Sequence, residues 1–115
     1  MCVEWTGRVR GTSVPTYIAV VNWIDQGIRA VSAAVERSDK AAEIARKRGA
    51  RFLEHYWPIG PYDVVAIGEA PDEESATTVF REIGRAGNAR LTLLRAFDRE
   101  EMSRIIDRLG PSLGV

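Results

Sequence analysis

The fold is decided by the stretch RFLEHYWPIGPYDVVAIGE, which spans residues 51–69. Residues 51–57 combine aromatic and charged side chains and predict an edge strand. The Pro and Gly residues at 58–61 supply a turn, and residues 62–69 predict a second strand. Residues 64–67 are apolar in succession rather than in alternation, so we expect both faces of this strand to be buried. The stretch therefore predicts two consecutive strands joined as a hairpin.

Two more strands and three helical regions surround this hairpin in the sequence. Residues 17–23 form an apolar run rich in β-branched and aromatic side chains, and residues 88–97 form a fourth strand. The first predicted helical region is 24–49, as one broken helix or as two short ones, the second capped by Ser38 or Asp39. The second helix is opened by Pro71 and Asp72 and ends near Gly84 or Gly87. The last helix runs from Asp98 to Leu109 and begins with a capping box between Asp98 and Glu101.

The order β-α-β-β-α-β, with one extra C-terminal helix, is the ferredoxin-like split βαβ pattern. It predicts an α+β fold in which a four-stranded antiparallel sheet carries its helices on one face. The first and third strands lie at the centre of this topology, and they are the most continuously apolar in the sequence. Charged residues such as Arg51 and Glu54 in the second strand, and Arg90 and Arg95 in the fourth, are typical of edge strands.

Length and composition limit the classes of protein that fit. The 115 residues suit one domain, which we divide into a flexible arm (1–14), the ferredoxin-like domain (15–110) and a tail (111–115). Sixteen basic and sixteen acidic residues cancel, which argues against binding nucleic acid or an anionic membrane through bulk charge. No run approaches the roughly 18 apolar residues of a membrane span. The single Cys2 forms no internal disulfide, and no signal-peptide core precedes the domain, so we expect a cytoplasmic protein.

The central strands pose a burial problem. Helices cover only one face of this sheet, yet both central strands are apolar on both faces. An apolar sheet face left in water would exceed the few hundred Å² that monomers usually tolerate. We therefore expect the second face to be covered by another copy of the chain, in a homodimer or a higher homo-oligomer.

Several blocks of this chain resemble the GYD domain family. They are PTYI at 15–18, NW at 22–23 followed by DQGIR at 25–29, GPYD at 60–63, EAPD at 69–72 and LRAF at 94–97. The Gly, Tyr and Asp of the family name correspond to Gly60, Tyr62 and Asp63. The resemblance covers residues 15–109 and departs from the family in the extra arm and in Pro61, which stiffens the turn.

The resemblance implies a bacterial or archaeal protein of the dimeric α/β-barrel group, in agreement with the predicted fold. It implies no particular reaction. The sequence itself contains no HxxxH, CxxC or HExxH metal motif and no GxGxxG or GxxxxGK phosphate loop, so we expect no metal and no cofactor.

His55 is the candidate for acid–base chemistry, because its side chain titrates near neutral pH. Pointing into an enclosed space, it would serve as a general base or a haem ligand; the alternative is a hydrogen-bonded histidine on an edge strand. Strict alternation along the second strand predicts that its side chains divide between the two faces of the sheet. One face carries Leu53, His55 and Trp57, and the other carries Phe52, Glu54 and Tyr56.

Asp63 is the second catalytic candidate, as a base or as the group that orients His55. The alternative is that Asp63 and Gly60 lock the hairpin; possible partners of the carboxylate are Arg95, Asn22 and the turn amides. Five residues are candidates for ligand binding: Asn22, Trp23, Trp57, Tyr62 and Arg95. Asn22 alternatively caps the following helix, Trp23 and Trp57 alternatively fill a dimer interface, and Tyr62 alternatively packs in the core.

Three functions are compatible with this pattern. The first is an oligomeric binding module for a small apolar or aromatic organic molecule. The second is a cofactor-independent enzyme resembling the monooxygenases and isomerases of the dimeric α/β-barrel type, which requires His55, Asp63, Asn22 or Arg95 to converge on one cavity. The third is a structural assembly subunit without a pocket. The sequence favours the binding module.

Overall fold

The computed structural model describes residues 14–114, so the predicted arm lies outside the described residues except for Val14. In chain order the elements are β1 (Thr16–Trp23), α1 (Asp25–Arg29), a 3-10 turn (Val31–Ala33), α2 (Ala34–Lys47), β2 (Arg51–Tyr56), β3 (Val64–Glu69), α3 (Glu73–Gly84), β4 (Ala89–Ala96) and α4 (Arg99–Asp107). No helix within 14–114 is long and apolar enough to cross a bilayer.

The four strands form one antiparallel sheet in the order β2-β3-β1-β4. The predicted ferredoxin-like α+β fold is therefore confirmed, with the first and third strands at the centre. β1 is hydrogen-bonded on both sides, since Ala19 lies opposite Ala66 of β3 and opposite Leu93 of β4. This register controls which side chains meet on each face of the sheet.

The helix boundaries after β1 differ from the prediction. The second helix, α2, begins at Ala34 without a side-chain cap, and not at Ser38 or Asp39. The helical region is interrupted earlier, at Ala30, where α1 ends. The Arg37 guanidinium donates hydrogen bonds there to the carbonyls of Ala30 (2.8 Å) and Gly27 (3.2 Å). Arg37 thus satisfies the free carbonyls at the end of α1, a role that sequence periodicity does not reveal.

The later helices begin where the sequence predicts. The Asp72 carboxylate accepts a hydrogen bond from the Ser75 amide (2.7 Å) at the start of α3. Asp98 and Glu101 form the predicted capping box at the start of α4, with reciprocal bonds of 2.8 and 2.9 Å. In both helices, the carboxylate of the N-cap residue therefore accepts a hydrogen bond from a backbone amide of the first turn.

Strand β2 contains an irregularity that corrects the predicted alternation. Phe52 lies opposite Gly68 and Glu54 lies opposite Ile67, so Leu53 is an extra residue without a partner in β3. This β-bulge shifts the side-chain order by one position. Phe52 consequently shares a face with His55, and their rings meet edge to face at 5.3 Å.

Gly68 permits this bulge. A Cβ atom at Gly68 would lie 2.7 Å from the carbonyl oxygen of Arg51. Real Cβ atoms do not approach a backbone oxygen so closely, so only glycine lets the two strands meet here.

The helices α2 and α3 pack against one side of the sheet, and the opposite side is termed the open face. Its apolar members are Ile18, Val20, Val65, Ile67 and Leu94. None of them falls in the buried class, and Leu94 is 45% exposed. The apolar character of both central strands thus leaves one sheet face partly accessible.

A set of hydrogen bonds ties the turn before β3 to the end of β1. The Asp63 carboxylate accepts from the Trp23 amide (2.9 Å), and the Asp63 amide donates to the Val21 carbonyl (2.8 Å). The Asn22 side chain donates to the Pro61 carbonyl (2.6 Å). Gly60 has φ of +136°, which favours glycine, so the turn that presents Asp63 depends on it.

Replacing Asp63 tests this lock. We expect Asp63→Ala to lower the free energy of unfolding by about 1–3 kcal/mol, because it leaves the half-buried Trp23 amide without its acceptor. Asp63→Asn keeps a carbonyl oxygen and should lose clearly less. Urea denaturation measures both; equal stability of Asp63→Ala and the parent chain would contradict the lock.

Candidate ligand-binding cavity

A cavity of about 360 Å³ lies between the sheet and the two longer helices, α2 and α3. Its volume falls within the range of about 300–1,000 Å³ found for small-molecule pockets. Side chains from all four strands line it, and those of α2 and α3 close it from the other side. The fold therefore places a partly open, mainly apolar space at the interface of its two layers.

Short side chains form the floor of the cavity. Two rows run across the sheet: Tyr17, Gly68 and Phe52 in one, and Ala19, Ala66 and His55 in the next. The middle of both rows consists of Gly68 and Ala66, which occupy very little space. The floor is therefore a shallow trough, and the larger rings of Tyr17, Phe52 and His55 stand at its sides.

The helices opposite the floor also present small residues. Ala41 and Ala45 of α2 and Ala76 of α3 line the cavity. Within 14–114, no large side chain is fully buried, and four of the seven buried apolar residues are alanines. Protein interiors normally leave few voids larger than a water molecule. Small side chains on both layers thus contribute to the unfilled volume, which larger side chains such as Ile44, Phe80 and Leu93 also line.

His55 is placed at the side of this cavity, where its imidazole lies between two aromatic rings. Phe52 contacts it edge to face at 5.3 Å, and Trp57 stacks on it at 5.4 Å. Burial lowers the pKa of His55, and the nearby Asp39 carboxylate opposes that shift. The histidine therefore presents a neutral imidazole at pH 7, with hydrogen-bonding capacity facing a mainly apolar space.

Tyr17 also lines the cavity, and sequence reasoning did not single it out. Its side chain is 6% exposed, and its hydroxyl oxygen has no hydrogen-bond partner among residues 14–114. Burial raises the pKa of this hydroxyl, and the Glu73 carboxylate raises it further. Its position in a strand predicted to be buried on both faces could have marked Tyr17 as a site residue, because a buried Tyr O–H normally requires a hydrogen-bond partner.

The other predicted site residues divide between the cavity and its surroundings. Trp23 lines the cavity, with the Arg37 guanidinium 5.7 Å from its ring centre. Asn22 and Asp63 belong to the lock at the end of β1. Trp57 contributes through its stacking on His55, while Tyr62 is 42% exposed in the turn.

Arg95 lies at the opposite end of the sheet from Asp63. Arg95 is paired in register with Tyr17 at the start of β1, whereas Asp63 bonds to Trp23 at its end. Six residues of strand separate the two positions, roughly 20 Å at about 3.3 Å per residue. The Arg95 guanidinium pairs instead with Glu101 of α4 at 3.1 Å and lies over the rings of Phe97 and Tyr17.

The predicted acid–base residues therefore do not form one cluster. His55 faces the cavity, Asp63 holds a backbone amide, and Arg95 anchors α4. In the described part of the chain, no group of three or more His, Cys, Asp or Glu side chains is placed to hold a metal ion. What the structure brings together is an apolar cavity with two polar ring side chains, Tyr17 and His55.

Comparison with solved structures agrees with this architecture. The crystal structure of MtbAldR superposes on this chain with a TM-score of 0.56 at 17% sequence identity. The match covers 74% of this chain and 53% of that one, so it corresponds to about half of the length of MtbAldR. At this identity the likeness shows the fold alone. No curated protein gives a significant sequence match.

The family model described as the GYD domain matches residues 17–106. The matched region includes all four strands but for the first residue of β1, and it contains both the lock around Asp63 and the cavity lining. The predicted resemblance is thereby confirmed over most of the chain, and this protein belongs to the GYD domain family.

Proposed function

We propose that this GYD-domain protein is an oligomeric module that binds a small, largely apolar organic molecule between its sheet and its helices. The cavity of about 360 Å³ with a floor of Ala19, Ala66 and Gly68 carries this proposal. A core built only for stability would fill such a space with larger side chains, since an empty cavity costs free energy in proportion to its volume. A ligand in the cavity would restore the missing contacts.

The same geometry favours binding over catalysis. A cofactor-independent enzyme requires a base within hydrogen-bond reach of a second polar group in a shared pocket. The Asp63 carboxylate is engaged by the Trp23 amide, and Arg95 is engaged by Glu101. His55 has ring contacts with Phe52 and Trp57, and neither of the other two predicted acid–base residues reaches it. A purely structural subunit, in turn, gives no reason for the cavity.

The oligomeric part of the proposal concerns the open face, which we assign to a second copy of this chain. Four strands of about six residues give the face a projected area of roughly 400 Å². A standard interface buries roughly 800 Å² per partner. Tyr56 of β2, which lies opposite Val65 and is 53% exposed, extends this face. Self-association needs no partner beyond this chain and covers the apolar side chains that the helices leave accessible.

A neutral fluorescent probe tests the binding function. We expect N-phenyl-1-naphthylamine to bind the protein with increased fluorescence. Ala66→Leu should abolish this binding, because its side chain fills the floor of the cavity. Ala30→Leu, at an exposed position away from the cavity lining, is the matched control and should bind as the parent chain does.

The same substitution tests whether the cavity is unfilled. Adding methylenes to a packed core costs about 1–3 kcal/mol, whereas filling a void costs little or stabilises the protein. Ala66→Leu should therefore keep or raise the free energy of unfolding. A loss of more than about 2 kcal/mol, or probe binding that persists in the folded variant, would count against the cavity as the binding site.

His55 supplies a pH-dependent prediction. Its pKa is lowered in the folded protein, so the unfolded chain binds more protons below about pH 6.5. The contribution of His55 to stability is therefore complete above pH 6.5 and declines as the pH falls through that value. Because the chain has one histidine, its NMR titration is unambiguous. We expect the midpoint of the His55 titration to lie below pH 6.5. Binding of the probe should lower this midpoint further, because it displaces water from the cavity. A midpoint above pH 6.5 would contradict the prediction.

A charge on the open face tests self-association. We expect the parent chain to elute as a species of at least twice 12.8 kDa in size-exclusion chromatography with light scattering. Val65→Glu places a carboxylate at the centre of the open face and should yield a folded monomer. Thr77→Glu, on the exposed side of α3, is the control and should leave the mass unchanged. A monomeric parent chain would overturn the proposal.

A further inference from the structure

We infer that the Tyr17 hydroxyl is the hydrogen-bond donor that recognises the ligand, and that the ligand is an uncharged, mainly apolar molecule carrying an acceptor oxygen, such as a ketone, an ester or a quinone. The inference rests on the proposed binding function and names the ligand class for that cavity. It is carried by the juxtaposition of an apolar cavity with a buried polar atom that no other described residue satisfies.

The burial of this hydroxyl is the first step. Tyr17 is 6% exposed, and its ring packs against Ala70 and Ala76. Within residues 14–114 the hydroxyl oxygen has no hydrogen-bond partner. Such an atom is costly, because it has lost its contacts with water and gained none in exchange. A ligand oxygen in the same cavity would recover that loss, which gives a ligand with an acceptor an advantage over a hydrocarbon.

The second step fixes the direction of the hydrogen bond. Burial and the Glu73 carboxylate raise the pKa of the Tyr17 hydroxyl, Arg95 opposes this and Asp72 adds to it, and the net effect is a raised pKa, so the hydroxyl stays protonated throughout the neutral range. It therefore has a proton to donate. A ligand that offers only a donor would use the weaker acceptor capacity of a phenol oxygen, whereas a carbonyl oxygen matches the available O–H.

The third step concerns the charge of the ligand. Glu73 and Asp72 bring negative charge near Tyr17. The one cation over its ring, Arg95, is already paired with Glu101 at 3.1 Å. A ligand carboxylate beside Tyr17 would thus lose its hydration and meet carboxylates. The cations that line the cavity, Arg37 and Lys40, belong to α2, and Arg37 is engaged by the carbonyls of α1. A neutral acceptor avoids both costs.

Three naphthalene probes separate these requirements. 2-Acetylnaphthalene carries a carbonyl acceptor, 2-isopropylnaphthalene has nearly the same shape without one, and 2-naphthoate carries a charge. Displacement of N-phenyl-1-naphthylamine measures their affinities for the parent chain, for Tyr17→Phe and for the control Tyr62→Phe, which alters an exposed tyrosine outside the cavity lining. Tyr17→Phe keeps the ring and removes only the hydroxyl.

We expect Tyr17→Phe to weaken 2-acetylnaphthalene about tenfold, the equivalent of one hydrogen bond of about 1.4 kcal/mol, and to leave 2-isopropylnaphthalene unchanged or tighter. Tyr62→Phe should change neither, and 2-naphthoate should bind the parent chain at least tenfold more weakly than 2-acetylnaphthalene. The unliganded Tyr17→Phe protein should also melt a few degrees higher, because it no longer buries an unpartnered hydroxyl.

The failures are distinguishable. If N-phenyl-1-naphthylamine does not bind the parent chain, the proposed function fails and this inference fails with it. If the neutral naphthalenes bind but Tyr17→Phe shifts both equally, the donor role is wrong while the cavity stands. Binding of 2-naphthoate as tight as that of 2-acetylnaphthalene overturns the uncharged class. A lower melting temperature for Tyr17→Phe shows that the hydroxyl already has a partner and overturns the inference.

Discussion

The register between β1 and β3 is the constraint on which the rest of the structure depends. It places Ala19 opposite Ala66 and Tyr17 opposite Gly68, so that small side chains coincide on the face that the helices cover. A slip by one residue would turn Ile18 and Ile67 toward the helices and fill the space between the layers. The hydrogen bonds of Asp63 to the end of β1 hold this register, and the cavity follows from it.

Small residues in two facing layers provide fewer packing contacts than large ones would. Polar contacts at the edges of the layers supply additional connections between the elements. The Arg48 guanidinium of the α2 terminus lies 2.8 Å from Glu82 of α3, so the two helices above the cavity are joined outside it. Arg51 and Glu69 similarly join the edge strand to its neighbour at 3.2 Å. Such exposed pairs contribute little free energy each, and they connect elements within one layer: α2 with α3, and β2 with β3. Between the layers, the larger side chains of Ile44, Phe80 and Leu93 border the space above the alanine floor.

Much of the fold could be predicted from the sequence, and the remainder has identifiable physical reasons. Continuous apolar runs and the capping residues at Asp72 and Asp98 are local signals, so the four strands and the starts of α3 and α4 could be predicted. The bulge at Leu53 depends on Gly68, which lies fifteen residues further along the chain. Likewise, the end of α1 depends on Arg37, which a pattern of apolar residues does not record. Both depend on specific contacts between residues that are not neighbours in the local apolar pattern: Gly68 with the Arg51 backbone, and Arg37 with carbonyls seven and ten residues earlier.

The candidate site shows the same division between local and distant information. Its predicted residues were chosen for their chemistry, and three of the seven hold the fold: Asn22 and Asp63 bond across the end of β1, and Arg95 attaches α4. The residues of the family motif therefore act on the shape of the cavity through the register, not through contact with its contents. Tyr17 and His55 are the polar rings that do face it, and both lie in strands outside the Gly60, Tyr62 and Asp63 motif, although Tyr17 belongs to the PTYI block at 15–18. It follows that a chain can keep the motif and the fold while residues at these two positions change what the cavity accepts.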